Sequence, residues 1–146
     1  MRQDPSPPPS VLQLMNDFAR DSGADGVTLW VAEDGQLAAV ANPLEPEVVG
    51  IRQPLGSGLI SQVYLTGQAI LAEDLGADPA HDPTVDRRLG KRCRAMVAAP
   101  LEDGAAGGVI SAVVFETSSR GFAFADLGKV AALAREIGNR MEEGGC

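Results

Sequence analysis

Apolar residues near the N-terminus recur at helical spacing, at Val11, Leu14 or Met15, and Phe18. This predicts an amphipathic helix opening at Ser10 and closing at Asp21-Ser22-Gly23. Ser10 and Gln13 have the spacing of a capping box, in which each side chain satisfies a free backbone N–H of the first turn. At residues 27–32 the pattern changes to Val-Thr-Leu-Trp-Val-Ala, a β-branched and aromatic run that reads as a strand. Asp34-Gly35 then predicts a two-residue hairpin turn into a second strand over 36–41, which Asn42-Pro43 breaks. A loop rich in Pro and Glu is expected as far as Pro54.

Beyond Gly56-Ser57-Gly58 the run Leu59-Ile60-Ser61-Gln62-Val63-Tyr64-Leu65 predicts a short helix, capped by Ser57 and stopped at Thr66-Gly67. A short buried strand is expected over 69–72, ending at Glu73-Asp74. Residues 75–92 form a long polar connection with one helical turn expected near 84–89; connections of this length in small domains tend to serve function. Strands are predicted over 94–101, closed by Pro100, and over 108–115, with Glu102-Asp103-Gly104 and an Ala/Gly-rich linker at 104–107 joining them as a hairpin. Phe122 and Phe124 lead into a last helix over 126–143, whose apolar stripe is Leu127, Val130, Ala131, Ala134, Ile137 and Met141, with Leu133 beside it.

The fold class that follows is α+β: a central antiparallel sheet of five to six strands, the N- and C-terminal helices on one face, the short helix and loops on the other. The domain is expected over 10–143, with a disordered Pro-rich leader at 1–9 and a flexible tail at 144–146. A sheet face covered by loops is where a small-ligand pocket forms.

Composition narrows the chemistry. The 146 residues suit one domain, and 45% apolar with 22% charged residues is ordinary for a globular chain. A net charge of −8 repels phosphate backbones and anionic lipid, so neither nucleic acid nor membrane is an expected partner. The N-terminus has no apolar stretch after its Arg2, so it does not read as a secretory signal, and a cytoplasmic location is expected. Two cysteines, Cys93 and Cys146, and a single His81 argue against a disulfide framework and against multi-Cys or multi-His metal sites; no metal is expected. Hydrolytic chemistry finds no Gly-x-Ser-x-Gly elbow, and Gly56-Ser57-Gly58 lacks the Lys that would follow in a phosphate-binding loop.

The order of these pieces resembles the GAF domain, a small-molecule sensor module of phytochromes, cyclic-nucleotide phosphodiesterases and bacterial regulators. Gly56-Ser57-Gly58-Leu59-Ile60 followed by Thr66-Gly67-Gln68-Ala69-Ile70-Leu71-Ala72-Glu73-Asp74 is similar to the family's glycine-led helix, Thr-Gly stop and strand ending in Asp. Val85-Asp86-Arg87-Arg88-Leu89-Gly90, running into Met96-Val97-Ala98-Ala99-Pro100-Leu101, resembles its Val-Asp, basic residues, Gly and strand ending in Val-Pro-Leu; Ala99 stands where Val is common. Gly107-Gly108-Val109-Ile110, then Phe124, Asp126 and Leu127, complete a match across 10–143.

The resemblance implies a pocket between the sheet and the 75–92 connection, with Leu75, His81, Val85, Asp86, Leu89, Cys93, Arg94 and Met96 as its rim and lining. The ligand is left open. Bilin attachment is disfavoured, because Arg94 rather than His follows Cys93 and the cysteine stands at the start of the strand. Cyclic-nucleotide binding is disfavoured, because only Asp86 of the dispersed signature is matched; His81 falls where Phe is frequent and Arg87 replaces Glu. Heme ligation by His81 is disfavoured by its polar turn between Pro79 and Pro83. Methionine sulfoxide reduction needs a thiol in the short helix and another in the loop ahead of Arg92, and both places lack Cys. Redox chemistry at Cys93, flanked by Arg92 and Arg94, is a minor alternative to its role as a small apolar filler.

The function expected is a non-catalytic signalling or regulatory domain that binds a small ligand or a partner protein and transmits through its terminal helices. A homodimer through those helices is expected, with Ala131, Ala132, Ala134 and Gly138 permitting close approach; packing within the chain is the competing use of the same stripe. The rival function is an interaction or dimerisation scaffold without a ligand.

Overall fold

The computed structural model describes residues 7–75, 87, 90, 92–101 and 107–144, with side chains to residue 141. Helix α1 (Pro9–Ser22) leads into strands β1 (Gly26–Glu33) and β2 (Gln36–Ala41), a 3-10 turn (Pro46–Val48) and β3 (Arg52–Pro54). Helix α2 (Leu59–Thr66), β4 (Ile70–Ala72), β5 (Cys93–Pro100), β6 (Gly108–Phe115) and α3 (Ala125–Gly144) follow. The strands form one antiparallel sheet of six in the order β3-β2-β1-β6-β5-β4. The expected α+β class and the expected hairpins hold.

The local reasons are mostly those of the sequence. Asp34 and Gly35 both take positive φ, 54° and 75°, and Glu33 pairs with Gln36 across them, the geometry of a tight hairpin turn. Asn42 ends β2 because its Oδ1 accepts the backbone N–H of Leu44 and of Glu45, at 3.1 and 2.9 Å, in place of a ladder partner.

Three local expectations are corrected. Helix α1 starts at Pro9 with Pro8 as its N-cap and no side-chain cap, so Ser10 lies inside the helix and the Ser10–Gln13 box is not made. Proline's fixed φ suits the first turn, where its missing N–H removes no hydrogen bond. Gly58, not Ser57, is the N-cap of α2, again without a side-chain cap. The loop expected up to Pro54 contains the 3-10 turn and β3, an edge strand too short to show periodicity. Of the turn expected at 84–89, Arg87 is helical and exposed; the remainder lies outside the described residues.

The sheet separates two buried clusters. The first holds Val11, Met15 and Phe18 of α1 and Val130, Ala134 and Ile137 of α3 against Val27, Leu29, Val97, Ile110, Ala112 and Val114. The second lies on the opposite face, with Trp30, Leu37, Ala39, Cys93, Met96, Ala98, Val109 and Phe115 from the sheet. Val48 and Ile51, Leu59, Ile60 and Val63 of α2, and Leu75 cover it. In the small-residue stripe of α3, Ala134 and Gly138 are buried within the chain, Ala131 is half-buried against the first core, and Ala132 is exposed. Among the described residues no helix is long and apolar enough to cross a membrane.

Candidate functional site

Strand alternation assigns each side chain to a face. In β1, Val27 and Leu29 enter the helix-covered core while Trp30 enters the second; in β6, Ile110, Ala112 and Val114 alternate with Val109, Val113 and Phe115. Thr28 and Ser111 share the parity of the second face. Thr28 pairs with Ser111, and Ser111 with Ala98, so three small side chains stand side by side in the middle of the sheet. Ile70 of β4, paired with Ala98, ends this row.

Two buried hydrogen bonds organise the face. Trp30 Nε1 donates to Ser111 Oγ at 3.0 Å, which draws the indole toward the small-residue row. Asn42 Nδ2 donates to Thr28 Oγ1 at 3.0 Å. At the sheet edge, Gln53 of β3 pairs with Leu37. Ser61 Oγ of α2 donates to the carbonyl oxygen of Pro54 at 2.8 Å and ties this edge to the covering helix.

A bulge decides which face Cys93 occupies. Cys93 pairs with Phe115 but Ala95 with Val114, so Arg94 is an extra residue in β5. Without it, Cys93 and Ala95 would share a face; with it, Cys93 joins the second core and Ala95 the first. The Arg94 guanidinium donates to the carbonyl oxygens of Ser118, at 3.3 Å, and Arg120.

Of the residues expected to line the pocket, Leu75, Cys93 and Met96 are brought together in the second core. Arg94 reaches the 118–120 segment. His81, Val85, Asp86 and Leu89 lie outside the described residues. Leu75, where the long connection begins, is buried against the face that the connection was expected to cover. Sequence reasoning did not single out Thr28, Trp30, Gln53 or Ser111 as features of this face. Alternation through 27–32 and 108–115 carries a signal for the first, second and fourth; Gln53 carries none, because a strand of three residues is too short to show a period.

The Cys93 thiol is buried, 5% exposed, on the same face as Phe115 and Met96. Of the two thiols in the sequence, it is the one among the described residues.

This arrangement, a six-stranded antiparallel sheet with terminal helices on one face and a covered second face, can be set beside known proteins. The profile of the GAF domain family matches residues 6–142. The chain belongs to the GAF domain family. GAF domains are sensory and regulatory modules of signalling proteins. Among solved structures, the GAF domain/HD domain protein from Geobacter sulfurreducens is similar with a TM-score of 0.73 and 12% identity, covering 92% of this chain and 91% of that one. The second GAF domain of DevS from Mycobacterium smegmatis is similar with a TM-score of 0.70 and 16% identity, over 93% and 94% of the two chains. Free methionine-R-sulfoxide reductase from Neisseria meningitidis, solved in complex with its substrate, is similar with a TM-score of 0.68 and 20% identity, over 93% and 81%. At these identities the likeness concerns the fold. No curated protein matches the sequence.

Proposed function

We propose that this GAF domain is a non-catalytic regulatory module that binds a small molecule on the sheet face away from its terminal helices and signals to a partner protein through those helices. The observation that carries this reading is the row Ala98–Ser111–Thr28, where two hydroxyl-bearing side chains occupy the buried centre of a sheet face. A face built only for packing gains most from large apolar side chains, each worth about 1.5–3 kcal/mol when buried. Small side chains at mid-sheet forgo that gain, and each hydroxyl, besides accepting one bond from Trp30 or Asn42, carries a proton of its own to donate to a ligand. The helical layer on the reverse face shares β1, β5 and β6 with this row, so a ligand that shifts those strands also biases the packing of α1 and α3.

The non-catalytic part rests on the thiols. GAF-fold methionine sulfoxide reductases are among the similar structures. Thiol reduction of a sulfoxide proceeds through a sulfenate that a second thiol resolves. Here α2 has no cysteine, and Cys93 is buried. A Cys93-based redox sensor meets the same obstacle, since a peroxide must reach the thiolate.

Native mass spectrometry of the purified chain, combined with a thermal-shift screen of small metabolites, tests the reading. A co-purifying small molecule, or a metabolite that raises the melting temperature in proportion to its concentration, is expected. Empty protein that no metabolite stabilises, but which self-associates or captures a partner, would fit the scaffold instead; the near-complete burial of Trp30 at 1% exposure favours that second reading.

A further inference from the structure

Among the described residues, Gln53 Oε1 is the buried side-chain polar atom that accepts no hydrogen bond. The residue is 2% exposed. Two relationships fix the direction of its side chain. Gln53 stands two residues beyond Ile51, which belongs to the second core, and two residues along an extended chain share a face. It also pairs across the ladder with Leu37, another member of that core. The carboxamide therefore lies on the face proposed to hold the ligand, in the edge row Gln53–Leu37–Ala32, four residues along β1 from the Thr28 row. An unpaired buried acceptor is destabilising, a cost that a Leu or Met of similar size would avoid.

The chemistry of the surroundings limits what can approach it. The second core is apolar, and the buried polar residues outside the helix-covered core, Thr28, Asn42, Gln53, Ser61 and Ser111, are all neutral. None of these five side chains offers a counter-charge to a buried ion, and an uncompensated charge beside them would be strongly disfavoured. A glutamine oxygen accepts from N–H or O–H. We propose that Gln53 is the polar anchor of the ligand site and selects a small, neutral molecule that donates an N–H or O–H from an otherwise apolar body. This deepens the ligand-binding reading and rests on it.

The test uses 2-pyridone, N-methyl-2-pyridone and benzoate as probes, titrated into the full 15N-labelled chain. The sole tryptophan gives a single indole N–H signal that reports on the second face. Expected is perturbation of the Trp30 indole and Gln53 side-chain signals by 2-pyridone, with an affinity at least tenfold above that of the N-methyl compound, which has lost the donor, and above that of the anion. Gln53→Leu should fold, unfold at a higher temperature than the parent, and lose the preference for 2-pyridone; Gln53→Met serves as the second variant. Retention of the preference in these variants, equal binding of the two pyridones, or a lower melting temperature in both variants would overturn the anchor while leaving ligand binding in place. If none of the three probes perturbs the second face, the anchor fails; if the metabolite screen is also empty, the ligand-binding reading fails with it.

Discussion

The indole nitrogen of Trp30 donates to the hydroxyl of Ser111 at 3.0 Å inside the second core, joining β1 to β6 across 81 residues of sequence. Both residues are nearly inaccessible to solvent. A buried indole N–H without an acceptor is costly, so this bond fixes where the largest side chain of the face can lie.

Ser111→Ala should therefore destabilise the domain by about 1–3 kcal/mol, the cost of leaving the indole donor unpaired. Chemical denaturation measures the loss. Faster hydrogen exchange of the single indole N–H should accompany it.

Gly108 allows the same two strands to meet. A Cβ at Gly108 would stand 2.0 Å from the carbonyl oxygen of Trp30, a backbone atom that cannot turn aside. Gly108→Ala should cost about 3 kcal/mol or prevent folding. Gly56→Ala, where a Cβ would meet nothing within 4 Å, should leave the thermal midpoint nearly unchanged and serves as the control.

The small residues of α3 divide between two roles. Ala134 is fully buried in the helix-covered core, so Ala134→Leu should overpack it at a cost of about 1–3 kcal/mol. Ala132 is exposed, and Ala132→Leu should change monomer stability by less than about 0.5 kcal/mol. Sedimentation of Ala132→Glu then tests the homodimer: dissociation relative to the parent is expected if α3 pairs with a second copy, and a monomeric parent or a dimer that the substitution leaves intact would refute pairing at that position.

Cys93 should behave as a packing residue. In a Cys146→Ser background, a colorimetric disulfide reagent should react with native Cys93 roughly a hundredfold more slowly than with the urea-unfolded chain, which corresponds to about 3 kcal/mol of opening. Cys93→Ala should leave peroxide sensitivity of the native domain unchanged. Rapid native reaction would restore the redox reading.

Within the described residues, the sequence alone determined the helices, the strand alternation, the Asp34-Gly35 turn and the α+β class, because each depends on a local period or on the backbone preference of one or two residues. The family could be read from the order of those pieces. Tertiary structure decided the rest. The bulge at Arg94 turns Cys93 onto the second face, and it exists only as a mismatch between β5 and β6. Strand β3 is a strand because β2 offers it a partner, so Gln53 acquires a face only through Leu37. Ser111 and Thr28 become neighbours through the register of β1 with β6. Register is a relation between distant segments, set by which side chains fit together across the sheet.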